Sequence, residues 1–365
     1  MRNIEDLRVL IDKIDKDMAS LFEERMKICK EVGEYKKANC LSILDTTREE
    51  AVVKKNLNYI NAEEIKPYYV NFIKEVMKES RNYQSILLEG LKIGYSGIPG
   101  SFSYSAAKEM NPNCKYMSFK SFEDAYKACV NGDVDKVILP IENSYAGDVG
   151  NVMDLVFQGD LKINDIHQVK ISQNLLGIKG SSISDIKTVV SHPQALNQSI
   201  EFINEHHFEM VEASNTAVAA IKVLEKGDKS VGVIASKETA ELYGLDLLQS
   251  NINTSELNAT RFASFSRVER IPPKGNKMGE YFVLVFTVKD KAGALADALN
   301  IIGSHHFNMR NLRSRPMKEL MWNYYFFLEL EGNVNSVDGQ ELLTELSHIC
   351  DRLKLVGTYY EFKQN

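Results

Sequence analysis

Five cysteines in 365 residues, none spaced as CxxC, offer no disulfide framework and suit reduced thiols in the cytosol. Seven histidines show no HxxxH or HxH spacing, so no metal is expected. Positive charge is not in excess either. A formal net charge of −6 gives no basic field for a nucleic-acid backbone. No apolar run approaches a membrane span, and the charged start MRNIEDLRVLIDKIDKD is unlike a signal peptide. GxGxxG, GK[ST] and GxSxG are all missing, which argues against a dinucleotide fold, a P-loop and a nucleophile elbow. This composition suits a cytosolic, metal-independent protein of two or three domains, for which no cofactor is expected.

Glycine and proline are scarce in one place only. Residues 1–88 contain Gly33 alone among glycines and no proline before Pro67, the composition of an almost purely helical segment. From Leu91 the texture changes to short β-rich runs: LKIGYSG, KVILPI, KTVVSH, SVGVIAS and ATRFASFSRV. Their alternation with helical stretches predicts an α/β domain over 91–268 with a largely parallel sheet. RIPPKGNKMG has the composition of a linker. The order βαββαβ then follows over 279–363, an α+β domain.

In the helical segment, Ile4, Leu7, Ile11, Ile14, Met18, Leu21, Ile28, Val32 and Tyr35 recur with the alternating threes and fours of a coiled-coil seam. The missing beat is Arg25. Lys36 projects from nearly the same face, whereas Arg8 points elsewhere. So long a helix cannot bury its stripe within one small segment, which predicts pairing with a second copy, to which Arg8 could contribute. Asp45 suits the N-cap of the next helix, with Arg48 and Glu49 in its first turn. Ser80 and Gln84 interrupt the apolar face of a third. Single interruptions of this kind commonly set register or oligomeric state. As a set of cations, one carboxylate and two neutral hydrogen-bonders, they suit a pocket for a small dianion.

These positions resemble the AroQ-type chorismate mutases, an all-α, domain-swapped dimer family. The resemblance implies that Arg8 is donated across the dimer and that Arg25, Lys36 and Arg48 are the site's own cations. It makes Asp45, Glu49, Ser80 and Gln84 the polar lining. The pericyclic rearrangement of chorismate to prephenate needs no nucleophile. Holding the compact conformer, with Lys36 and Gln84 at the ether oxygen where negative charge develops, would suffice.

Four patches mark the α/β segment. GYSGIPGSFSYSAA brings Ser101 to a helix start, a seat for an anion. LPIENSYAGDVG places Glu142, Asn143 and Ser144 at a strand's carboxyl end. VVSHPQALNQ adds Ser191, His192, Gln194 and Gln198, and the last patch is NATRF. Each alone reads as a capped turn, and His192 as a structural histidine. Together they resemble the prephenate dehydratases, whose ENS–G, SHPQ–Q and NxTRF signatures are present. That implies two α/β lobes, similar to periplasmic binding proteins, enclosing a cleft. Thr260 would donate to the departing ring hydroxyl, with Asn143 and Gln198 beside it. Ser101, Glu142, Ser144, Ser191, Arg261 and Phe262 would contact substrate, although strand alternation turns Arg261 away from Thr260.

The last segment carries KAGALADAL and LRSRP and resembles the phenylalanine-sensing ACT domains, of ferredoxin-like fold. An effector site is implied at Gly293, Ala294, Leu295, Ser314 and Arg315. Arg313 stands where that family usually has glutamate. The order of the three resemblances is that of the bifunctional chorismate mutase/prephenate dehydratases of phenylalanine biosynthesis. Chorismate, prephenate and L-phenylalanine are therefore the expected small-molecule partners, with neither nucleic acid nor membrane, in a homodimer or homotetramer. Two alternatives stay open: a dehydratase whose helical segment is a dimerisation strut, and a non-enzymatic amino-acid sensor.

Overall fold

The computed structural model describes residues 3–39, 41–255, 257–269, 278–317 and 323–362. Most of the expected linker, residues 271–277, and Cys40 lie outside them. The chain divides into two compact units, residues 1–91 and 92–365.

The first unit is helical: α1 (Ile4–Ala38), α2 (Thr46–Leu57) and α3 (Lys66–Glu89). Asn3 caps α1 by accepting from the Asp6 amide at 2.8 Å, and Asp45 caps α2 through the Arg48 amide at 2.9 Å. Gly33 is the one buried residue of α1 among those described. A β-carbon there would press on Gln84 Cγ and Leu88 Cδ1, each at 3.2 Å, so the glycine is what lets α1 close onto α3. The seam residues, by contrast, lie open: Ile14 is 59% and Leu21 65% exposed.

The second unit opens with a lobe of β1 (Lys92–Ser96), α4 (Phe102–Met110), β2 (Lys115–Phe119), α5 (Phe122–Asn131), β3 (Lys136–Asn143), β4 (Gly147–Asp148), α6 (Gly150–Gln158) and β5 (Lys162–Lys170). The chain then crosses to a second lobe. This contains β6 (Asn174–Gly177), β7 (Thr188–Ser191), α7 (Pro193–Asn197), α8 (Ile200–Glu205), β8 (Glu209–Glu212), α9 (Thr216–Lys226), β9 (Val231–Ala235), α10 (Lys237–Tyr243) and β10 (Asp246–Gln249). It returns to the first lobe as β11 (Ala259–Ser266).

The sheets are mixed rather than largely parallel. β1 pairs in parallel with β2 and β3, but β11 runs antiparallel to both β3 and β5. In the second sheet β7 is parallel to β8 and β9, while β6 runs antiparallel to both of its neighbours, β9 and β10. The reason is the double crossing. A strand arriving directly from the other lobe has no helical crossover to turn it parallel to its neighbour.

The C-terminal part comprises β12 (Met278–Val288), α11 (Ala294–Ser304), β13 (Asn308–Pro316), β14 (Tyr324–Glu331), α12 (Val337–Ile349) and β15 (Cys350–Phe362). Its sheet has the order β13-β14-β12-β15, antiparallel throughout. One face is covered by α11 and α12 through a core including Phe282, Leu284, Ala298, Ile302, Leu342 and Leu346. The other face packs on α6, where Phe157 stacks on Tyr325 with ring centroids 4.4 Å apart. β15 also joins β5 at Gly357 and Ile163, making the two sheets continuous. A side chain at Gly357 would collide with the Ile163 carbonyl, so this junction depends on glycine.

Candidate functional site

In the helical unit, Arg25, Ser80 and Gln84 of the expected polar set meet between α1 and α3, whereas Asp45 and Arg48 are exposed at the start of α2. Arg25 donates to Ser80 Oγ, and Ser80 in turn donates to the Val76 carbonyl at 2.6 Å. Lys36 Nζ holds the Ile43 carbonyl at 2.6 Å. Gln84 is 7% exposed, and its Oε1 has no hydrogen-bond partner. Glu49 is taken by Arg81, a cation the sequence reading did not single out. Arg8 pairs only with exposed Glu5, at 2.9 Å.

In the second unit, a cleft of about 490 Å³ is lined by residues of both lobes. At its floor, β3 and β11 lie in register with Asn143 opposite Thr260. Asn143 Oδ1 accepts from the amides of Tyr145 (3.0 Å) and Ala146 (2.9 Å), which fixes the orientation of its side-chain amide. Its Nδ2 therefore donates to Thr260 Oγ1 at 2.9 Å. That bond fills one of the hydroxyl's two acceptor positions, and no described residue accepts the threonine's own hydrogen, which stays available to a ligand. Thr260 is 8% exposed, so a hydrogen bond made there is shielded from water.

Across the cleft, Gln198 Oε1 accepts from Gln173 Nε2 at 3.0 Å, leaving the Gln198 amide hydrogens free to donate. Ser101 caps α4 and Asn215 caps α9, and both line the cleft. The positive ends of two helix dipoles thus meet there.

His192 lines the cleft as well. Its Nδ1 accepts from the Gln194 amide at 3.2 Å. Burial, only partly offset by Glu212, pulls its pKa below the ordinary 6.5, so the ring stays neutral with its proton on Nε2. A depressed histidine pKa stabilises the fold above pH 6.5, and that contribution is lost as pH falls below it. The unfolding temperature of the wild type should consequently drop below pH 6.5 more steeply than that of His192→Gln. Equal slopes in paired thermal melts would remove this role.

Several expected contacts lie elsewhere. Ser191 is wholly buried and donates to the Ile234 carbonyl at 2.6 Å, a structural bond. Ser144 is tied to Leu257 and Ala259 backbone. Phe262 and Ser101 do line the cleft. Arg261 does not: strand alternation sends it to the opposite side, where it pairs with Glu142 (3.2 Å) and Glu329 (3.0 Å). Burial opposes its charge, but Glu329 more than compensates and its pKa is raised. Glu329, on β14, is fully buried and also accepts from Tyr359 at 3.3 Å. Removing the cation strands this carboxylate. Arg261→Ala should cost about 3–5 kcal/mol in denaturant unfolding of the second unit. Adding Glu329→Leu should restore most of that; if it does not, the pair is not what Arg261 serves.

Arg313, on β13, pairs with Glu142 and with Asp148 of β4. Two residues on, and so on the same face, Arg315 reaches Asp154 of α6 at 3.4 Å. Ser314 between them faces solvent. Gly293 starts α11 with φ of 86°, a conformation that favours glycine.

The sequence reading missed Lys120, Phe122, Gln173 and residues 214–216 as cleft lining. Gln173 sits in a crossing between lobes, where only knowledge of the double crossing would have pointed to it.

The chain matches the family models Chorismate mutase type II over residues 7–85, Prephenate dehydratase over 93–270 and ACT domain over 282–347. It is 29% identical to the bifunctional chorismate mutase/prephenate dehydratase of Aquifex aeolicus (strain VF5), over 98% of each chain. It is 32% identical to arogenate dehydratase/prephenate dehydratase 1, chloroplastic, of Arabidopsis thaliana, over 74% of this chain and 72% of that protein. A prephenate dehydratase of Arthrobacter aurescens, solved in complex with L-Phe, superimposes with a TM-score of 0.68. The two are 26% identical over 74% of this chain and 90% of the other.

Proposed function

The chain belongs to the family of bifunctional chorismate mutase/prephenate dehydratases, an enzyme with both activities and an ACT domain, and on that premise we propose how its residues divide the work. In the helical unit, Arg25, Arg48 and Lys36 hold the two carboxylates of chorismate in the compact conformer. Lys36 and Gln84 donate to the ether oxygen as its bond breaks. Ser80 keeps Arg25 in place, Asp45 caps the helix that carries Arg48, and Glu49, paired with Arg81, completes the polar lining. The open stripe of α1 supports a second copy completing this site, with Arg8 supplied by the partner. Sedimentation of the full chain at a multiple of 41.3 kDa is then expected, and a monomer would contradict it.

In the cleft, prephenate loses its ring carboxylate as carbon dioxide. The bonding pair of that C–C bond enters the ring, which becomes aromatic as the 4-hydroxyl departs. The hydroxyl leaves as water after gaining a proton, with Thr260 donating to it and Asn143 orienting Thr260. The observation that carries this reading is the bond from Asn143 that anchors Thr260 in the cleft while no described residue accepts its hydrogen. Gln198 and Ser101 would receive the retained end of the substrate.

Inhibition by L-phenylalanine at Gly293–Leu295 and Ser314–Arg315 is the regulatory half of the proposal. Its support is the short mechanical route from β13 to the cleft: Arg313 grips Glu142, the neighbour of Asn143. An effector that favours one position of β13 shifts that grip. The deciding assay follows chorismate to phenylpyruvate with and without phenylalanine. Inhibition is expected in the wild type. Arg313→Ala should still bind phenylalanine by calorimetry yet lose at least about fivefold of the inhibitory coupling. Full inhibition in that variant would rule out the route.

A further inference from the structure

The substrate of the dehydratase cleft is a dianion, yet the described lining of the cleft holds one lysine or arginine, Lys120, and no carboxylate. Arg261, the cation the signature sequence suggests for this duty, is spent on Glu142 and Glu329. Lys120 lies between β2 and α5, directly before Ser121, the N-cap of α5. Its side chain is exposed, lines both this cleft and a second cavity of about 550 Å³, and has no hydrogen-bond or ion-pair partner among the described residues. The two acids that line the second cavity with it are already engaged: Glu123 with Lys127 at 2.6 Å, and Asp154 with Tyr325 at 2.8 Å and with Arg315. An unpaired ammonium beside a cleft otherwise lined by neutral donors and aromatic rings is a strong local field for an anion.

We propose that Lys120 is the cation that seats the retained side-chain carboxylate of prephenate, and so sets the preference of this cleft for its dianionic substrate. The assignment to the retained carboxylate follows from the reaction. The ring carboxylate gives up its negative charge as it leaves. A cation paired with it would stabilise the ground state more than the transition state and slow the step. A cation on the side-chain carboxylate interacts equally before and during the reaction, and contributes to binding alone. The departing carboxylate then needs no cation of its own, and the rest of the described lining supplies none. This inference rests on the dehydratase reading of the cleft.

The test uses the full chain with prephenate as substrate and compares Lys120→Gln, Lys120→Arg and Thr260→Ala. Lys120→Gln should raise KM about ten- to hundredfold, the worth of one charge-assisted hydrogen bond, with kcat within about threefold of wild type. Lys120→Arg should recover most of the loss. The dependence of kcat/KM on ionic strength should flatten in the glutamine variant. An unchanged KM in Lys120→Gln while Thr260→Ala abolishes turnover overturns the role of Lys120 and leaves the cleft reading standing. A fall in kcat with KM unchanged overturns the assignment to the retained carboxylate. Unchanged kinetics in all three variants would remove the cleft reading itself. Lys120 is exposed and unpartnered, so none of its variants should alter thermal unfolding.

Discussion

Thr260→Ala is expected to lower dehydratase kcat by about 10²–10⁴ while leaving the chorismate mutase rate of the same chain intact. The size follows from what the hydroxyl does. Hydroxide is a poor leaving group, and a donor fixed at the oxygen acts only as charge develops there, so its loss falls on kcat. Pre-positioning is visible in the hydrogen-bond chain. The Tyr145 and Ala146 amides orient Asn143, Asn143 donates to Thr260 Oγ1, and the threonine's own hydrogen has no acceptor among the described residues. Thr260→Ser should keep much of the rate, since the donor survives with looser packing. Asn143→Ala should approach the alanine defect at 260 although the donor is still present, because its rotor is freed. Mutase activity is the internal control, as its residues lie in a separate compact unit. Near-normal phenylpyruvate formation by folded Thr260→Ala would remove threonine from the mechanism.

How much of this was legible in the sequence depended on whether a residue's role is local. The caps at Asp45 and Ser101 follow from short-range backbone chemistry and were readable at once. The opposite facing of Thr260 and Arg261 follows from strand alternation alone. Sheet direction was misjudged because it is set by two crossings between lobes, and nothing local in KISQNLLG or NINTSELN announces a crossing. Arg313 shows the same limit from another side. Its departure from the related pattern was plain, but its meaning lay in Glu142 and Asp148, far away in the chain. Lys120 was passed over for a third reason: a lysine after an ordinary strand is usually solvent chemistry, and only the shape of the cleft singles it out.

Gln84 provides the sharpest separation of function from stability. It sits where α1 closes over α3, against the surface that Gly33 leaves open. Its side chain is buried, yet Oε1 has no partner. A buried polar atom without a hydrogen bond costs about 1–3 kcal/mol, a cost a folding optimum would not retain. Leucine at this position keeps nearly the same volume and removes the unpaired oxygen. Gln84→Leu should therefore unfold at the same temperature as the wild type or a few degrees higher, by the scaling of stability with melting temperature for a domain of this size. Chorismate mutase kcat should nonetheless fall by about 10²–10³, because the amide donor to the breaking ether bond has gone. Dehydratase turnover from added prephenate should not change. A loss of stability would mean that Gln84 is held for packing, and retained mutase activity would mean that Lys36 carries the ether oxygen alone. A gain in stability joined to a loss of rate is the signature of a residue kept for chemistry at the expense of the fold.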